Sequence, residues 1–176
     1  MDRESGNHLQ ENIILIGFMG VGKGRTARAL ARETGRFAID TDDLIESLVK
    51  MKIRKIFANH GEHYFRLLEL QVANWIEHHV TGTIVSTGGG FFKVNNLDRL
   101  GRVIFLDSSV EGILAAMRKH PNAEKKIRKR PLLKDMERAR QLYEERLPHY
   151  RKAADHVVSV EGREIIEVAR EIAALL

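Results

Sequence analysis

The run Gly17-Phe18-Met19-Gly20-Val21-Gly22-Lys23 has the spacing G-x4-G-K. Glycines let a backbone curl so that several N–H groups face one anion. A helix opening directly after such a loop adds a partial positive charge. Lys23 adds a full one, with the reach to meet β- and γ-phosphates. The chemistry is a grip on a nucleoside triphosphate, and its expected contacts are Gly20, Val21, Gly22, Lys23, Gly24 and Arg25. One position departs from the pattern: Gly24 stands where these loops carry the Ser or Thr whose hydroxyl ligates Mg²⁺. Arg25 follows it, and Thr26 falls about 200° round the helix from Gly24, so neither restores that hydroxyl.

Acids and glycines recur at the ends of later apolar runs. Asp40-Thr41-Asp42-Asp43 closes Phe37–Ile39. One of these carboxylates can hold metal-bound water, another can accept from a substrate hydroxyl, and Asp42 or Asp43 can cap the next helix. Gly88-Gly89-Gly90 follows Ser86-Thr87, where bare backbone admits a ligand closely and offers N–H donors. Glu62, Arg66 and Glu69 share one helical face. Spacing alone favours a solvent-exposed charge ladder; the alternative is a guanidinium fork braced for a ligand carboxylate. Val103-Ile104-Phe105-Leu106-Asp107 has the form of any buried strand ending in Asp, so Asp107 is set aside. The histidine pairs His60/His63 and His78/His79 read as surface residues, and no zinc site is expected.

These residues need elements that place them at one edge. Strands are expected at Asn12–Ile16, Phe37–Ile39, Ile84–Ser86, Val103–Leu106 and His156–Val160. Helices are expected at Lys23–Thr34, Leu44–Lys50, Ile53–Asn59, Glu62–His79, from about Ser109 to Lys119, Lys134–Tyr150 and Arg163–Leu175. Strands alternating with helices predict a parallel sheet with helices on both faces. Ligands of such sheets sit beyond the carboxyl ends of the strands. Pro121 and Pro131 bracket a segment that reads as a flap with non-helical joints.

The 176 residues suit one domain, and 43% hydrophobic with 30% charged is a globular composition. The chain has no cysteine, which excludes disulfides, thiol catalysis and cysteine-ligated zinc. The polar first residues and the lack of a long apolar run predict a cytoplasmic protein with no membrane partner. The net charge of +5 is concentrated between Arg118 and Lys134, where eight basic residues face one acid, Glu124. The remainder of the chain is slightly acidic. Such a block fits a small polyanion or a solvated loop. It lacks the interleaved aromatics of a nucleic-acid surface, and no nucleic-acid partner is expected.

Taken together, GFMGVGK (17–23), DTD (40–42), GEHYFRLLE (61–69), STGGG (86–90), RPLL (130–133) and ERLPHY (145–150) resemble the shikimate kinase family, over about residues 12–160. The resemblance implies a three-layer α/β/α P-loop kinase fold. It would have a five-stranded parallel sheet, a substrate-binding helical segment at about 42–80 and a lid at about 118–134, within a single domain 1–176. It implies transfer of the γ-phosphoryl group of ATP to the 3-hydroxyl of shikimate, with Mg²⁺, by a monomer. Lys23, Asp42 and Arg130 would be catalytic. Arg66 and Arg146 would hold the substrate carboxylate, Asp42 and the backbone of Gly88, Gly89 and Gly90 its hydroxyls, and Phe57 and Phe65 its ring. Asp40 and Ser86 would hold Mg²⁺ through water, and Arg118 and Arg163 would lie at the base. Two other readings are a kinase for another small acid or polyol, such as a gluconate, and a nucleotide-binding module that has lost transfer activity. Gly24 favours the last.

Overall fold

Every side chain of Ile13–Ile16 is apolar, and a strand without a polar face must be covered on both sides. In the computed structural model, which describes residues 10–119, 121, 123–128 and 131–176, this run is β1 and is wholly buried. It pairs in parallel with β3 (Ile84–Ser86) on one side and β4 (Arg102–Asp107) on the other. β2 (Ala38–Asp40) pairs with β3, and β5 (His156–Ser159) pairs with β4, giving the order β2-β3-β1-β4-β5. The expected five-stranded parallel sheet is present. The register sets Asp40 opposite Ser86 and Ser86 opposite Leu15, so the candidate residues leave the sheet along one edge. At the other edge Asn12 ties the strand starts together: Nδ2 donates to the carbonyls of Val80 and Leu100, and Oδ1 accepts from the Thr83 amide.

Helix α1 spans Lys23–Thr34, as its apolar spacing predicts, and packs on the closing helix α7 (Ile165–Ala174). α2 (Thr41–Val49) begins three residues before the expected Leu44. The cause is its cap, which is Asp40 rather than Asp42 or Asp43. Asp40 Oδ1 accepts from the amides of Asp42 (2.9 Å) and Asp43 (3.4 Å), and so starts the helix at the strand end. α3 (Ile53–His79) bends at Gly61, whose φ of 79° and ψ of 177° leave the helical region. The two separate helices expected there are thus two segments meeting at a glycine. α4 (Val110–Arg118) is capped by Ser109, whose hydroxyl accepts from the Gly112 amide.

The basic segment is not only turn. It contains the short helix α5 (Ala123–Arg128), which packs against α4 and a 3-10 turn at Pro131–Lys134. α6 (Met136–Ala153) follows, capped by Asp135. Among the described residues, no helix is long and apolar enough to cross a membrane.

Candidate active site

A cleft of 890 Å³ runs along the carboxyl edge of the sheet. Its floor is the phosphate loop. Met19 to Arg25 line it, and α1 starts at Gly22 with no side-chain cap, which leaves first-turn amides to an anion. Lys23 is buried, and its Nζ donates to the carbonyls of Gly17 (2.7 Å) and Phe18 (3.1 Å). The loop therefore holds its own ammonium group in place before any ligand arrives.

One end of the cleft contains the acids. Asp40 Oδ2 accepts from Ser86 Oγ at 2.7 Å. Asp42 is mostly buried, and its pKa is raised from 3.8 to about 6. Burial is the chief cause and the Asp40 charge the second, while Lys23 pulls the other way. Asp42 Oδ1 and Glu69 Oε1 are both buried without a hydrogen-bond partner. Gly88 lies between them: a Cβ built there would stand 2.9 Å from Asp42 Oδ1 and 3.1 Å from Glu69 Oε1. Only a glycine fits at position 88, because the two carboxylates close directly on the loop there.

The arginines meet at the same glycines. Arg66 donates through Nε and Nη2 to Glu62 Oε1 and through Nη1 to Glu69 Oε2 at 2.5 Å. The three charges are a brace aimed at the glycine loop, for a Cβ on Gly90 would collide with the Arg66 guanidinium. Glu69, almost wholly buried, has its pKa raised by that burial despite Arg66. Arg146 Nη1 donates to the Gly89 carbonyl at 3.1 Å from the opposite side. The Phe57 and Phe65 rings lie 4.7 Å apart, with the Arg66 guanidinium 5.5 Å from the Phe65 ring. The two arginines thus meet at Gly89 and Gly90, though neither they nor Phe57 and Phe65 line the 890 Å³ cleft itself.

The other end is lined by Gly112, Ala115, Ala116 and Lys119 of the α4 face and by 160–165. Arg163 stands on this wall, though its Nη1 is already shared between the Ser159 carbonyl and Glu171. Arg118 does not line the cleft. Its side chain is exposed. Arg130 lies outside the described residues.

Asp107, set aside above, is off the cleft wall and accepts from the Tyr143 hydroxyl. His60, His63, His78 and His79 are exposed. Among the described residues there is no cluster of three or more His, Cys, Asp or Glu side chains able to hold a metal ion directly. Asp40 Oδ2 and Ser86 Oγ, 3.7 and 3.6 Å from a Cβ built on Gly24, instead suit a hard ion that keeps its water.

Two contributors fall within runs quoted above but were given no role there. Tyr150 is buried, and its hydroxyl donates to the Gly89 carbonyl at 2.5 Å. Its signal is an aromatic residue one helical turn after Arg146, on the same face of α6. Thr41 Oγ1 accepts from the Gly88 amide and so fixes the other end of the glycine loop.

The family model described as shikimate kinase matches residues 19–176. A shikimate kinase of Helicobacter hepaticus is 40% identical over 162 residues, covering 92% of this chain and 93% of its own. One of Caldanaerobacter subterraneus is 38% identical over 172 residues, covering 92% and 94%. Among solved structures, the shikimate kinase of Acinetobacter baumannii in complex with shikimate superposes with a TM-score of 0.83 at 30% identity, covering 97% of this chain and 95% of that one.

Proposed function

Because this chain belongs to the shikimate kinase family, we propose that it transfers the γ-phosphoryl group of ATP to the 3-hydroxyl of shikimate. The observation that carries the reading is the meeting of Arg66 and Arg146 at the glycine loop, with Asp42 and the phosphate loop lining the cleft beside it. The arginine forks take the ring carboxylate, which turns the hydroxyl face of the ring toward Asp42 and Glu69. The attacking hydroxyl donates its hydrogen bond to Asp42. Its oxygen forms a bond to the γ-phosphorus as the bond to the β–γ bridging oxygen breaks. The proton passes to the Asp42 carboxylate, and ADP leaves with the bridging oxygen. Such a reaction asks for alignment and positive charge more than for covalent help. Lys23 supplies charge beside the transferred group, and Arg130 has the same role on the family resemblance. Asp40 and Ser86 would hold Mg²⁺ through water, and the ion, when bound, neutralises charge on the β- and γ-oxygens. Arg163 borders the base. The same proposal takes the enzyme as a cytoplasmic monomer.

The test is release of ADP by pure protein in a coupled assay, with and without shikimate. ADP formed only with shikimate supports the reading, and a rate indifferent to shikimate overturns it. A gluconate arm addresses the polyol alternative. Gly24 favours the alternative of nucleotide binding without transfer, for which the same assay would give no shikimate-dependent ADP.

A further inference from the structure

Gly24 leaves α1 without a side chain at the second residue of the helix. A Cβ built there would lie 3.5 Å from Arg28 Nη1, 3.6 Å from Ser86 Oγ and 3.7 Å from Asp40 Oδ2. Three polar groups from three elements thus surround the volume that a side chain at position 24 would fill. Arg28 is one turn further along α1, and side chains on a helix lean toward its N-terminus. Its guanidinium therefore comes back over Gly24 and toward the phosphate loop. Lys23, Arg25 and Arg28 all line the same cleft.

We propose that Arg28 is a nucleotide-binding residue: admitted by Gly24, its guanidinium donates to a phosphate oxygen of ATP where a hydroxyl at position 24 would otherwise meet Mg²⁺. The inference rests on reading the cleft as an ATP site. A planar fork matches a phosphate bidentately. A permanent cation beside Asp40 also repels a divalent ion and its water shell. Arg28 thus strengthens the grip on metal-free nucleotide and weakens the advantage of metal-bound nucleotide. Arg28 is exposed in the ligand-free chain, so the gain lies at the low end for a hydrogen bond between charged groups, about tenfold in affinity.

Calorimetric titration of ATP, once in EDTA and once in excess Mg²⁺, separates the two effects. In Arg28→Gln the affinity in EDTA should fall about tenfold and the affinity in Mg²⁺ by about threefold or less. In Gly24→Ser, where the new Cβ fits at ordinary contact distance, affinity should rise in Mg²⁺ and fall in EDTA. An unchanged EDTA affinity in Arg28→Gln, or equal losses in both media, would overturn the proposal while leaving the ATP site standing. Wild-type protein that binds ATP in neither medium would sink the ATP reading along with it.

Discussion

The Asp42 carboxyl shows how one residue can work against stability and for function. Its folded-state pKa of about 6 lies above the unfolded value of 3.8, so the folded chain binds the proton more tightly than the unfolded one. The sign follows: above pH 6 the ionised, buried carboxylate destabilises the fold, on the order of 3 kcal/mol, and the penalty fades as pH falls through 6 toward 4. Asp42→Asn removes the charge but keeps the shape. Urea unfolding at pH 7 should find this variant more stable by about 1–3 kcal/mol, with the gap closing at pH 4.5. The same variant should lose about 10²- to 10⁴-fold in kcat, since an amide cannot take the hydroxyl proton. Equal stability of the two proteins at pH 7 would mean that the burial of Asp42 is relieved in solution. That acids at 40–43 could do this chemistry was open to sequence reading, and the family resemblance gave the hydroxyl to Asp42 in particular. Which acid caps α2 was not, because that depends on the backbone angle at the strand end, and there Asp40 alone reaches both amides.

At the scale of elements, the acid end of the cleft depends on how closely α3 and α6 approach the loop Gly88–Gly90. A methyl group on Gly90 would meet the Arg66 guanidinium, which Glu62 and Glu69 hold on both sides. Gly90→Ala should therefore raise KM for shikimate about tenfold or more, the equivalent of losing one charged hydrogen bond, and change KM for ATP less than about twofold. Parallel rises in both constants would show a collapsed sheet edge rather than a displaced arginine. Tyr150→Phe leaves the Gly89 carbonyl to Arg146 alone. It should lower stability by about 1–2 kcal/mol in denaturant unfolding and raise KM for shikimate without a matching change for ATP. The limits of α1 and β3 were legible because glycines mark them, Gly22 and Gly35 at the two ends of α1 and Gly88–Gly90 soon after β3. The Glu62-Arg66-Glu69 spacing was legible too, but not its direction. A charged stripe on a helix faces solvent unless the helix is turned, and α3 is turned by its bend at Gly61. Tyr150 escaped notice because its partner is 61 residues away in the chain.

Over the whole molecule, the order β2-β3-β1-β4-β5 puts the phosphate loop after the central strand. Asp40 and Ser86 come from the strands on one side, and the 160–165 wall follows β5 on the other. Alternating strands and helices announced a parallel sheet and the turns to inspect. They could not announce which strands are neighbours, since the crossovers decide that in space. The arrangement divides the cleft into two ends that share only the loop, so the two ligands should stabilise the chain through different residues. A ligand at a hundred times its Kd adds about 2.7 kcal/mol to the folded state, and a chain of this size gains roughly 2–4 °C in Tm per kcal/mol. Saturating shikimate and saturating ATP should each raise Tm by about 5–10 °C in a thermal-shift measurement. Arg66→Met should abolish the rise with shikimate and keep the rise with ATP, because Arg66 meets Glu62, Glu69 and the glycine loop and does not line the phosphate-loop cleft. If Arg66→Met instead removed both rises, the two ends would be one cooperative unit, and binding at either would depend on the brace on α3.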